Sequence, residues 1–186
     1  MMDKKVDLIV DLQFGSTGKG ALCGFLVNER RYDTVISCNM PNAGHTYMPN
    51  PDKKLVFKAL PVGACGRLVE NVMIGPGSVF SIDQLTKELA MMRNGAMLWI
   101  HENAVILNPD HAKVEQGTLG HIASTMQGSA AAIIEKMWRG SHPVIARDVL
   151  KGTMFQSCLV DTRRWITILQ RSKMILAEGS QGYSLG

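Results

Sequence analysis

The sequence has little from which a metal centre, a disulfide framework or a membrane span could be built. Its four cysteines, Cys23, Cys38, Cys65 and Cys158, form no Cys-x-x-Cys pair. They read as reduced, mostly packed thiols rather than zinc ligands or bridges. No apolar run approaches the roughly 18 residues that a membrane-crossing helix needs. The N-terminal Met1-Met2-Asp3-Lys4-Lys5 leads straight into a short strand-like run, not into the apolar core of a signal peptide. Aromatic residues make up 6% of the chain and charged residues 19%, and the net charge is only +4. That excess suits a phosphate-bearing ligand but is too small and too scattered for a nucleic-acid-binding tail. The expectation is a cytoplasmic protein with no membrane and no nucleic-acid partner. What the chain does have is 186 residues that are 46% hydrophobic, enough for a single domain with one core. Twelve methionines point to an adaptable aliphatic interior.

Val6 to Leu12 is a branched-aliphatic run that ends at Gln13-Phe14-Gly15-Ser16-Thr17-Gly18-Lys19-Gly20, after which Ala21 to Arg30 has helical character. Strand, glycine loop and helix follow in that order. A second strand, Thr34 to Cys38, runs into Asn42-Ala43-Gly44-His45-Thr46, and Pro49-Asn50-Pro51-Asp52 turns the chain toward a third at Leu55 to Leu60. Val72 to Ile74 precedes Gly75-Pro76-Gly77, and Ser81 with Gln84 predicts a capping box for a helix reaching Arg93. Met97 to Ile100 predicts a further strand. A polar loop, Ser124 to Ser129, leads into an Ala-rich helix through Trp138, and Asp161 predicts the cap of a helix to Gln170. The last strand, Met174 to Ala177, delivers Glu178-Gly179-Ser180-Gln181-Gly182. This alternation predicts an α/β fold with a predominantly parallel central sheet and flanking helices, in which ligands collect at the carboxyl ends of strands. Each glycine-rich loop is expected at such an end.

The loop Gly15-Ser16-Thr17-Gly18-Lys19-Gly20 is the sharpest local signal. Glycines let backbone N–H groups approach phosphate oxygens, and Lys19 adds a cation beside a helix N-terminus. It is not a Walker A loop, since Gln13 and Gly20 stand where that pattern needs Gly and Ser or Thr, and its glycine order also fails the dinucleotide fingerprint. A tight turn with a solvated lysine is the competing reading. Asn42, Gly44, His45 and Thr46 group an amide, an imidazole and a hydroxyl around a glycine that permits close backbone approach. The other histidines, His101, His111, His121 and His142, have no such company and read as structural. Ser124, Thr125, Gln127 and Gly128 could bind a monophosphate or be an ordinary loop. Gln181 could face a base or ribose, and Arg139 could bind phosphate or cap a helix end.

Taken in order, QFGSTGKG at 13–20, PNAGHT at 41–46, LPVG at 60–63, GPGSVFS at 75–81, the Ser-Thr loop at 124–128 and EGSQG at 178–182 resemble the adenylosuccinate synthetase family. That family's loops usually read Q-W-G-D-E-G-K-G, N-A-G-H-T, G-T-T-G-R-G and E-G-A-Q-G. The resemblance implies a purine nucleotide ligase and a P-loop-like glycine loop. It also implies Mg²⁺, a nucleoside triphosphate co-substrate, L-aspartate and a homodimer. The two-step reaction transfers the γ-phosphate to purine O6, and the aspartate amino group then displaces that phosphate.

By resemblance, Gly15, Thr17, Gly18, Lys19, Gly20, Gly44, His45 and Thr46 bind the triphosphate. The Gly44 carbonyl helps hold the metal, with Ser16 as a second candidate ligand, and Ser16, Lys19 and His45 form the catalytic set, with His45 as general acid. Phe14, Ser16, Asn42, Ser124, Thr125, Arg139 and Gln181 hold the nucleotide, Arg139 reaching that of a neighbouring subunit.

This chain departs from the family pattern at Ser16 and Thr17, which replace an acidic pair whose first member is the general base and a metal ligand. Gln127 also stands where the family has arginine. The phage-type members share the first departure. They join aspartate to dGMP, giving N6-succino-2-amino-2'-deoxyadenylate for 2-aminoadenine DNA, with ATP or dATP as donor and GTP as the alternative. A small hydroxyl at Ser16 leaves room for the guanine 2-amino group and can accept its N–H. The alternatives are a conventional synthetase acting on IMP and a non-catalytic nucleotide-binding homologue. Family members continue well beyond the fourth motif, so the expectation is that these residues form the N-terminal part of a longer chain.

Overall fold

A computed structural model describes residues 5–12, 17–118, 126–138 and 144–182. Strand β1 (Lys5–Asp11) precedes helix α1 (Lys19–Glu29), followed by β2 (Thr34–Ser37) and the pair β3 (His45–Asn50) and β4 (Lys53–Phe57). After a short 3₁₀ turn at Val62–Cys65 come β5 (Asn71–Ile74), β6 (Val79–Phe80), α2 (Ile82–Leu89), β7 (Met97–His101) and β8 (Val105–Ile106). Helices α3 (Pro109–Thr118), α4 (Ser129–Trp138) and α5 (Ala146–Val149) lead to β9 (Leu159–Val160), α6 (Thr162–Arg171) and β10 (Met174–Gly182).

Six strands form one sheet in the order β1-β10-β2-β5-β7-β9, and every neighbouring pair is parallel. The expected α/β architecture with a parallel sheet and flanking helices is present. Its central strands are branched-aliphatic because both faces are covered. Val35, Val72, Ile74, Ile100 and Leu176 join Phe57, Leu60 and Leu85 in the main core, while Met73 packs with Val160, Trp165 and Ile168 in a second cluster. At the sheet edge, β1 leaves Val6, Leu8 and Val10 exposed. The last strand inserts between β1 and β2, so the carboxyl ends of β1, β10 and β2 lie side by side. Such a reversal of strand order opens the crevice in which ligands of doubly wound sheets bind.

The third expected strand, Leu55 to Leu60, does not join this sheet. β4 stops at Phe57 and pairs antiparallel with β3, His45 facing Phe57, so the Asn42–Thr46 segment is half loop and half hairpin. The turn is closed by Asn50 Oδ1, which accepts from the Asp52 N–H at 3.1 Å. Residues 58–60 leave the strand because their N–H groups donate to Glu88, a carboxylate with 0% exposure. Helix α2 begins as expected at Ser81, whose Oγ accepts from the Gln84 N–H at 3.2 Å. The reciprocal arm of the box is missing, because the Gln84 side chain donates to Glu88 instead. The helix ends at Leu89 rather than Arg93, tightening into i−3 bonds at Met91 and Met92 before a left-handed Gly95. Helix α6 runs from its Asp161 cap, which accepts from the Arg164 N–H at 2.7 Å. Among the described residues no helix is long and apolar enough to cross a membrane.

Glu88 is the buried anchor of this segment, since three backbone N–H groups and one side-chain amide converge on it. Glu88→Leu is expected to cost about 3 kcal/mol or more, because it leaves those donors unpaired, and Glu88→Gln about half as much. Urea unfolding of the two variants beside the parent chain measures both.

Candidate active site

The crevice is lined by charge. β1 ends in Asp11, which is 5% exposed, and α1 begins with Lys19, which is 8% exposed. Their side chains form a buried ion pair. Lys19 is therefore neither solvated, as the simple turn reading supposed, nor an open cation.

Gly18 takes a left-handed conformation at φ +94° to start the helix, which disfavours any residue with a Cβ. Gly20 is required for a different reason: a Cβ there would stand 2.7 Å from the Thr46 carbonyl oxygen. This close approach seats the first turn of α1 against β3 and brings Lys19 into the neighbourhood of His45. An opening of about 330 Å³ is bounded by Asp11, Leu12, Thr17, Gly18 and Lys19. A larger cleft of about 540 Å³, lined by Pro41, Lys58, Ser81, Asn108 and Gln127, includes neither Lys19 nor His45.

His45 is 6% exposed and its Nδ1 meets the Glu178 carboxylate, itself 4% exposed. The second Glu178 oxygen accepts from the Val62 N–H at 2.7 Å, which fixes the carboxylate. Nε2 of His45 stands 3.2 Å from the Ser180 carbonyl oxygen. With acceptors at both ring nitrogens, the ring is held as a donor on both sides. Burial opposes the charge, but the Glu178 hydrogen bond and charge, with the Ser180 carbonyl, outweigh it and hold the His45 pKa above its ordinary value. Below this cluster lies Cys23, fully buried, whose thiol is pushed up by burial and further by Glu178 and Asp11. It stays protonated and is no nucleophile. Cys38, in contrast, is exposed rather than packed.

Thr17 and Gly18 are exposed at this opening, and Asn42, Gly44 and Thr46 are exposed on either side of the buried His45 in sequence. The buried amide after β2 is Asn39, which donates to the Leu60 carbonyl, not Asn42. Phe14, Gly15, Ser16, Ser124, Thr125 and Arg139 lie outside the described residues, as do His121 and His142. Gln181 belongs to β10, but its side chain is not described. Next to the Ser-Thr loop, the N–H groups of Gly128 and Ala130 already donate to the buried Glu115 carboxylate at 2.8 and 2.6 Å. Those two amides are therefore occupied and are not open to a monophosphate. His101 and His111 are structural: the first accepts from the Asn103 N–H, and the second accepts from the Asn108 N–H and donates to Glu135. Asp11 and Glu178 are the site residues that sequence reasoning passed over. Their signal was present, as acidic residues where two strands meet glycine loops.

Among the described residues, no group of three or more His, Cys, Asp or Glu could hold a metal by itself. The donors that are present, the Asp11 carboxylate and the accessible Gly44 backbone, are hard oxygen ligands. Each is of the class that Mg²⁺ takes, an ion that draws several of its ligands from phosphate and water.

The adenylosuccinate synthetase family model matches residues 8–159. The chain belongs to the adenylosuccinate synthetase family. It is 45% identical over 192 residues to the N6-succino-2-amino-2'-deoxyadenylate synthase of Vibrio phage phiVC8, covering 98% of this chain and 55% of that protein. The cyanophage S-2L succinoaminodeoxyadenylate synthetase, solved with dGMP and with dATP as energy donor, superposes with a TM-score of 0.90 at 35% identity. That match covers 98% of this chain and 53% of the other. A fully ligated adenylosuccinate synthetase from Plasmodium falciparum shares the fold, at TM-score 0.78 and 22% identity over 97% of this chain and 52% of that one. The chain spans about half the length of the curated relatives it matches.

The His45–Glu178 pair carries a pH signature. A raised folded-state pKa means that the pair's contribution to stability is fully present below the ordinary histidine value of about 6.5 and is lost as pH rises through the folded value. Glu178→Gln is expected to lower the His45 pKa, seen in the ring Cε1–H titration by NMR. The same variant should lose about 3 kcal/mol of stability at pH 6, with a smaller difference at pH 9.

Proposed function

We propose that this chain carries the phosphate-binding and proton-donating part of a purine nucleotide ligase. The reaction joins L-aspartate to C6 of dGMP at the expense of ATP or dATP, giving N6-succino-2-amino-2'-deoxyadenylate for 2-aminoadenine DNA synthesis. The observation that carries this reading is the closeness of a buried lysine, on a glycine-started helix packed against β3, to a histidine with acceptors at both ring nitrogens. The names of the phage relatives, and the dGMP and dATP bound to one of them, supply the substrates.

Two displacements make up the reaction. Purine O6 attacks the γ-phosphorus as the N1 proton passes to water, and the bond to the β-phosphate oxygen breaks to release the nucleoside diphosphate. The aspartate amino nitrogen then attacks C6, and the C6–O bond breaks to release inorganic phosphate. Mg²⁺ would neutralise the triphosphate when bound. Lys19, with the backbone of Thr17 to Gly20, holds the phosphate chain in line. His45, its pKa raised by Glu178, turns its Nε2–H from the Ser180 carbonyl to the phosphorylated O6 and protonates the departing oxygen. Ser16 leaves room for the guanine 2-amino group, and Phe14, Asn42, Ser124, Thr125 and Gln181 face the nucleotide. Arg139 extends toward the nucleotide of a second subunit in a homodimer.

The test incubates the chain, alone and within any longer polypeptide it belongs to, with Mg²⁺, aspartate and dATP, and compares dGMP with IMP by chromatography of the succinylated product. Product from dGMP in preference to IMP is expected. Product from IMP alone overturns the role of Ser16, and nucleotide binding without turnover turns the reading to a non-catalytic module. In the active protein, Lys19→Gln and His45→Asn should each lower kcat/KM about 10²-fold or more. Ser16→Asp should shift the dGMP to IMP ratio of kcat/KM by about tenfold toward IMP.

A further inference from the structure

The crevice contains an anion where a triphosphate is expected to lie. Asp11 is 5% exposed and paired with Lys19, and both line the same opening of about 330 Å³. The backbone places Asp11 deliberately. The β1–β10 ladder is regular up to Ile9 against Glu178, then shifts so that Asp11 faces Gly182. Two extra residues on β10 are accommodated beside Asp11, an irregularity of the kind that re-aims a side chain next to a site.

When Lys19 turns to a phosphate oxygen, Asp11 becomes a buried carboxylate without a partner, which is strongly unfavourable unless another cation replaces the ammonium. Ser16, in the glycine loop, supplies no carboxylate for a metal. We propose that Asp11 is the internal counter-ion of Lys19 in the nucleotide-free protein and exchanges it for the Mg²⁺ that accompanies the incoming triphosphate. Asp11 thereby makes triphosphate binding metal-dependent. This rests on the reading of Lys19 as a triphosphate-binding residue. Charge is conserved at each step: the neutral Asp11–Lys19 pair opens, the ammonium meets a phosphate oxygen, and the carboxylate meets the metal ion. Metal-free nucleotide fills only the first half of the exchange and leaves Asp11 stranded.

Titration calorimetry with dATP, in Mg²⁺ and in EDTA, measures this in the protein and in Asp11→Asn. In the parent protein Mg²⁺ should tighten dATP binding by about 100-fold or more. In Asp11→Asn the ratio should collapse below about tenfold, because metal-free dATP binds more tightly. A second variant reads the same exchange from the other side. Lys19→Gln opens Asp11, so it should bind Mn²⁺ without nucleotide, detected by loss of the free-ion electron spin resonance signal. The parent protein and the double variant Asp11→Asn/Lys19→Gln should not. An unchanged Mg²⁺ ratio in Asp11→Asn, or no Mn²⁺ uptake by Lys19→Gln, contradicts the exchange. Absence of dATP binding by the parent protein under both conditions contradicts the triphosphate reading itself.

Discussion

Parallel pairing of β10 between β1 and β2 is the constraint on which the site depends. It sets Glu178 beside the hairpin that begins at His45, and it sets Gly182 beside Asp11. Were β10 at the sheet edge, His45 would face an empty crevice, and burial alone would drive it to the neutral form. The strand order therefore supplies the carboxylate that raises the imidazole pKa as well as the shape of the crevice. The glycines of α1 add the second half of this arrangement, since the approach of Gly20 to the Thr46 carbonyl carries Lys19 into the same cluster.

Two buried charge pairs then divide the work. In the proposed reaction Asp11 with Lys19 serves the phosphate side, and Glu178 with His45 serves the proton-donor side. Neither pair is an efficient way to stabilise a fold, because desolvation offsets most of the attraction between buried ions. In the proposed reaction their value lies in holding a cation ready for an anion and an imidazole ready to give up a proton. The fold supports them through Val62, whose N–H fixes Glu178, and through the Glu88 anchor that ends β4 and sends the chain toward that turn.

The sequence made the parallel sheet legible where it was richest in branched aliphatics, at Val35, Val72 and Ile100 and their neighbours. It did so because both faces of these strands are buried. Leu55 to Leu60 misled for the same reason: an apolar run says that a segment is buried, not which partner it takes, and Glu88 lies far along the chain. Helix α3 went unread although Asn108-Pro109 is a start signal, with Asn108 Oδ1 accepting from the Asp110 N–H at 2.9 Å. At the site, Lys19 and His45 were legible through their glycine-rich surroundings. Asp11 and Glu178 carried a weaker signal, as acidic residues where strands meet glycine loops, and the partner of Glu178 lies 133 residues away at His45, beyond any local pattern.

The account's central claim is that Lys19 is held for a phosphate by a carboxylate that gives it up. A crystal structure of the protein with Mg²⁺ and dATP tests it most directly. The account predicts Lys19 Nζ at about 3 Å from a β- or γ-phosphate oxygen, with the Asp11 carboxylate facing the metal or its water. Lys19 still paired with Asp11 beside a bound triphosphate would contradict it.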